Sequence, residues 1–240
     1  MRDFNERDAR GRSLLYVAAR AADPAAVKRA LILVNAETAS ARTVSGKTAL
    51  FAAARGGCRE IVEILAKRAD ADARDERGFT PLLTACWHGN AAAVETLIRT
   101  IAPRRLNLDA STDAGRSPLH AACWRGGFSC AAALLDAGAD LDARDADGRA
   151  ALWAAARAGD EQCVRLCLER GADASGRDEF GRTALHAAAG HVPAGNIGMP
   201  DQQDMAIRVF DQAANAQGHG TAQARIDLKK PGSEREHAAS

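Results

Sequence analysis

The side chains best suited to chemistry in this 240-residue chain are its six cysteines and six histidines. Thiols serve as nucleophiles, redox couples or soft metal ligands, and imidazoles as acid–base groups or metal ligands. Their spacing argues against each role. There is no C-x-x-C pair, and no Cys/His spacing fits zinc. Cys163 and Cys167 stand i,i+4 on one helix face, where a redox pair could form, but they alternate with Val164 and Leu166 in the manner of a helix core. Cys86 and Cys123 hold one recurring position and Cys130 and Cys163 another, so they are expected as buried, reduced, small apolar residues. Asp145, Asp147 and Asp178 lie near glycines but lack the spaced ligands and terminal Glu of a calcium loop. No phosphate-cradling glycine loop, nucleophile elbow or metalloprotease helix occurs. Catalysis needs groups that converge, and these recur at a fixed interval instead. The expectation is a protein without catalytic site, cofactor or metal.

That interval defines the elements that carry these residues. Glycines of a D-x-x-G opening fall at Gly11, Gly46, Gly78, Gly115, Gly148 and Gly181, 32 to 37 residues apart, which marks a repeat array. The most regular copy, Asp145–Arg177, reads as a turn, a short alanine-rich helix, a tight loop at a second glycine, a longer amphipathic helix and a G-A-D exit. Neither helix can bury its apolar face alone, so stacked neighbours must complete the core. Aromatics are only 4% of the chain, which suits Ala and Leu packed helix to helix rather than a thick globular core.

Thirty-two basic and 31 acidic residues leave a net charge of +1, too balanced for bulk electrostatics to indicate a nucleic acid or an anionic membrane. The charged start, MRDFNERDARGR, lacks the apolar stretch of a secretory signal, and the longest aliphatic run, Ala30–Val34, is far below the ~20 residues of a membrane span. We expect a cytoplasmic protein, with the nucleus as a second possibility, and a monomer.

The chain divides into a polar leader (1–7), a repeat region (8–214) and a tail (215–240) without apolar pattern, expected to be disordered. The repeats span about 8–42, 43–74, 75–111, 112–144, 145–177 and 178–214. The third gains a loop near Pro103, and the sixth breaks at VPAGNIGMP before a candidate second helix from Asp201. Thr80 or Ser117 can cap the first helix, with Pro81 or Pro118 in its first turn. Gly57, Gly89, Gly126 and Gly159 fit helix ends that need left-handed backbone. Ala150-Ala151 in place of Thr-Pro should weaken one copy.

The runs G-F-T-P-L-L-T-A (78–85), G-R-S-P-L-H-A-A (115–122) and G-R-T-A-L-H-A-A (181–188), with the exits G-A-D-L-D-A-R (138–144) and G-A-D-A-S-G-R (171–177), resemble the ankyrin repeat. The resemblance implies an all-α solenoid of helix-turn-helix units with projecting β-hairpin turns. It also implies structural roles for His120 and His186, which would bond neighbouring backbone, and a ligand face made by hairpin tips and the concave side of the first helices.

In that register, the position after the Ala pair of the first helix is Arg20, Arg55, Trp87, Trp124 and Arg157, with His88 and Arg125 next to the tryptophans. Trp and Arg are the types most enriched at interface hot spots. Two readings stand: a groove binding a peptide or protein with apolar and acidic groups, or tryptophans tucked away as packing. Trp153, at the histidine position, reads as structural. A second row follows the motif glycines: Arg12, Lys47, Phe79, Arg116, Arg149 and Arg182. It would make the hairpin edge basic, although basic residues are common there in the family. The leading expectation is a protein–protein interaction module acting as adaptor, scaffold or competitive regulator. The alternatives are a regulatory or substrate-recruiting segment of a larger enzyme or ligase assembly and, less favoured, association with nucleic acid or chromatin.

Overall fold

A computed structural model describes residues 7–33, 40–101 and 106–190. The expected leader, the loop near Pro103, the candidate helix from Asp201 and the tail lie outside the described residues, apart from Arg7. Within them are five helix pairs and one further helix: α1 (Leu14–Arg20), α2 (Pro24–Leu33), α3 (Ala49–Gly56), α4 (Arg59–Ala66), α5 (Pro81–Trp87), α6 (Ala91–Ile101), α7 (Pro118–Trp124), α8 (Phe128–Asp136), α9 (Ala151–Ala158), α10 (Glu161–Glu169) and α11 (Ala184–Ala189). The odd-numbered helices stack on one another as a first row, the even-numbered ones as a second, and each pair packs internally.

Local chemistry sets the helix starts. Thr80 and Ser117 adopt extended backbone, and their hydroxyls accept the N–H groups of Leu83 and His120. Pro81 and Pro118 follow at the first turn, where a missing N–H costs no intrahelical bond. Ala150 offers no side-chain oxygen, so α9 begins uncapped. At the other end Gly57 and Gly159 adopt φ of 72° and 71°, the left-handed stop that the sequence implied.

The first-row helices are short and nearly submerged. In α3, Ala49, Leu50, Phe51, Ala52, Ala53 and Ala54 are all buried, because the helix lies between its own second helix and a neighbour on either side. Alanine permits that close approach. One apolar core runs through the stack from Leu15 to Ala188.

The projecting turns are closed loops, and no strand is formed among the described residues. In each, the N–H of the glycine donates to the residue three before it, as from Gly115 to Thr112 O at 2.8 Å, and the first residue's N–H donates to the residue after the glycine, as from Asp145 to Arg149 O at 2.9 Å. One further bond joins each tip to the next, as from Ala146 N to Ala114 O at 3.0 Å. Gly115 has φ of 73°, and a Cβ there would meet Ala146 N at 2.7 Å, so both conformation and contact require glycine. On the exit side, guanidiniums step from repeat to repeat: Arg42 Nη1 donates to Arg74 O at 2.7 Å, Arg74 Nη2 to Ser111 O at 2.6 Å, and Arg144 Nη1 to Arg177 O at 2.9 Å.

Candidate functional site

The cysteines and histidines take the parts expected of a scaffold. Cys86, Cys123, Cys130, Cys163 and Cys167 are buried and unbridged. Burial pushes the Cys86 thiol well up and the Cys130 thiol up to about 11. Hydrogen bonding with Cys163 and Cys167, together with burial, raises Cys123, whose Sγ lies 3.9 Å from that of Cys167. Protonated, enclosed thiols are poor nucleophiles. His120 Nδ1 lies 2.9 Å from the Ser117 hydroxyl, and its Nε2 donates to Arg149 O at 2.8 Å, tying helix α7 to the next turn. His186 Nδ1 lies 2.8 Å from Thr183 Oγ1.

The two rows of candidate residues meet face to face. Long helical side chains lean toward the helix N-terminus, so a tryptophan in the last turn covers the preceding turn and reaches the hairpin. Trp87, at the end of α5, meets Phe79 edge-on at 6.2 Å between centroids. Trp124, at the end of α7, meets the Arg116 guanidinium at 5.8 Å. Arg125, on the adjoining repeat, stacks over Trp87 at 5.6 Å. Trp124 is 39% exposed, whereas Trp87 is half-buried beneath Phe79 and Arg125.

A third tryptophan lies beside these residues. Trp153 is only 8% exposed, as its structural reading required, and Arg149 lies over its ring at 4.5 Å. Yet it lines one open depression with Trp87, Trp124, Arg116, His120, Ala121, Asp145, Arg149 and Ala154, which encloses only about 10 Å³, room for about one water. Its indole N–H and the Arg149 Nε are buried without a partner. The available signal was that Trp153 stands one repeat after His120, so its ring closes the gap beside Trp124.

The remaining candidates spread along the stack. Arg20 and Arg55 end α1 and α3 exposed, and Arg157 is half-buried on α9. His88 is exposed, but its Nδ1 lies 2.9 Å from Thr84 O, so the ring folds back to finish α5. The hairpin row is less basic in effect than its composition suggests. Lys47 pairs with Asp75 at 3.6 Å, Arg149 with Asp147 and Asp145, Arg182 with Asp178 at 2.8 Å, and Arg12 with Asp8. Burial would raise the Asp178 carboxyl, but hydrogen bonds from Arg182 and the Phe180 N–H hold it below its usual range. Arg116 comes no nearer than 4.0 Å to Asp145. Arg182, besides its pair with Asp178, lies over Phe180 and Trp153, at 4.8 and 5.9 Å.

Among the described residues no group of three or more His, Cys, Asp or Glu could hold a metal ion, and no helix is long and apolar enough to cross a membrane.

A stack of helix pairs, with the first helices in one row and the second helices in another, defines a helical repeat solenoid. The family model for ankyrin repeats (3 copies) matches residues 1–75, 67–145 and 133–197, and the chain belongs to the ankyrin-repeat family. Among solved structures it is similar to the crystal structure of the ankyrin repeat domain of Bcl-3, described as a unique member of the IkappaB protein family. That likeness has a TM-score of 0.72 at 26% sequence identity and covers 85% of this chain and 86% of the other. No curated protein matches the sequence. Ankyrin repeats are a non-enzymatic fold for protein–protein interaction.

Proposed function

We propose that this chain is an adaptor, scaffold or competitive regulator that receives a protein or peptide along its first-row helices. One observation carries the reading. The six first-row helices contain no Asp or Glu, yet end in Arg20, Arg55, Trp87, Trp124 with Arg125 beside it, and Arg157. Ordinary surface helices mix both signs, so an acid-free row with exposed aromatic and guanidinium groups favours a partner bearing apolar and acidic groups. A regulator's role is in keeping with the resemblance to the Bcl-3 domain.

The test replaces Trp87 and Trp124 by alanine together and follows two quantities: the set of proteins that co-purify, and the melting temperature. Loss of specific partners with melting preserved supports the groove. Partners retained, or a collapse of melting, removes it.

A further inference from the structure

The pocket between the tryptophans carries a narrower reading, which rests on the first-row face being the binding face. Its lining sets small buried residues, Ala121 and Ala154 at 2% and 4% exposed, among the three indoles and beside the buried Asp145 carboxylate. Arginines surround that carboxylate. Arg149 is offset by Asp147 and Asp145 and clamped on Trp153, so it offers little to an incoming group. Arg116 and Arg125 differ. Arg116 has only a 4.0 Å approach to Asp145, and Arg125 forms no ion pair among the described residues. Each lies near an indole, Arg116 5.8 Å from the Trp124 ring and Arg125 5.6 Å from the Trp87 ring. A guanidinium can match a carboxylate in bidentate fashion.

We propose that this pocket is an anchor site for a short acidic segment of a partner protein. One bulky aliphatic or aromatic side chain rests on the exposed ring of Trp124 at the mouth of this depression, and a nearby carboxylate meets Arg116 or Arg125. Neighbouring helices pack ~8–10 Å apart, and an extended chain rises ~3.3 Å per residue. The anchor and its acid therefore stand within about three residues of each other on an extended partner. A lysine-rich segment meets guanidiniums instead and is repelled.

The experiment selects phage-displayed random twelve-residue peptides on the full chain and discards those that bind the Trp124→Ala variant equally well. Circular dichroism verifies that the variant is folded. All three tryptophans of the chain line this pocket, so their intrinsic fluorescence reports its occupation directly. The expected result is peptides with a bulky apolar residue and Asp or Glu within three positions. Each should shift the fluorescence and bind Arg116→Glu/Arg125→Glu about tenfold more weakly, the scale of one charge-assisted hydrogen bond. Exchanging the peptide's acid for lysine should recover part of that loss. Trp124-dependent peptides that are basic, or that lack an acid, overturn the acidic anchor and leave the groove standing. A selection that yields no Trp124-dependent peptide removes the groove itself.

Discussion

The first-row helices end in Arg20, Arg55, Trp87, Trp124 and Arg157 with no acid among them, whereas the second row interleaves both signs. There Lys28 meets Glu60 at 2.6 Å, Arg59 meets Glu95 at 3.1 Å, and Arg170, just after α10, meets Asp136 at 2.6 Å, each across a repeat boundary. The two rows share one core, yet the second-row helices carry both signs and the first-row helices carry no acid. In a repeat array the fold constrains the buried positions of both rows alike, so the proposed binding face rests on the difference between their exposed residues.

The largest expected effect tests the shared core. Leu119 on α7 and Leu97 on α6 are both fully buried. Truncating either to alanine should cost about 2–5 kcal/mol and lower the melting temperature by several degrees. Thermal circular dichroism on the two variants decides the matter. If only one destabilises, the rows do not share a core and the contrast between their surfaces loses its basis.

Much of the first row was legible because period and register need only residue identity. The caps at Thr80 and Ser117, the left-handed Gly57 and Gly159, and the alignment of Trp87 with Trp124 follow from spacing alone. What escaped depends on contacts between repeats. Trp153 fills a histidine position, and only the stacking of α9 on α7 brings it to the same pocket as Trp124. The hairpin cations read as a basic edge because sequence does not reveal that Asp75, Asp145 and Asp178 lie within reach of them. The exit arginines recur in the sequence, but their bonds to carbonyls one repeat on, as from Arg42 to Arg74, belong to the stack.

Acid should separate the rows further. Burial lowers the His120 imidazole below its ordinary value of about 6.5, against the raising influence of the Arg149 carbonyl and Asp145, while Arg116 lowers it further. Above that value the ring is neutral in both folded and unfolded chains. As pH falls below it, the unfolded chain takes up the proton first, so stability declines through the window between the ordinary and the lowered pKa. Melting temperature measured from pH 8 to pH 5 should fall in the native chain and fall less in His120→Gln. Equal slopes would mean that burial does not hold the His120 imidazole below its ordinary range.

The smallest effect bears on the second row's self-sufficiency. Arg59 and Glu95 are each about half exposed, with side chains 53% and 53% accessible. A double-mutant cycle with alanine at both should give a coupling of roughly 0.2–1 kcal/mol, shrinking as salt is raised to ~1 M, where screening acts within ~3 Å. Arg125→Ala is the counterpart in the first row. It removes a cation stacked on Trp87 with no ion-pair partner among the described residues, a contact worth ~0.5–1 kcal/mol at an exposed site. Its loss should couple to Trp87→Ala in a second cycle. A zero coupling between Arg59 and Glu95 would undo the claim that second-row charges satisfy one another, because the contrast with Arg125 requires that an outer cation already has its carboxylate while the first-row cation still awaits one.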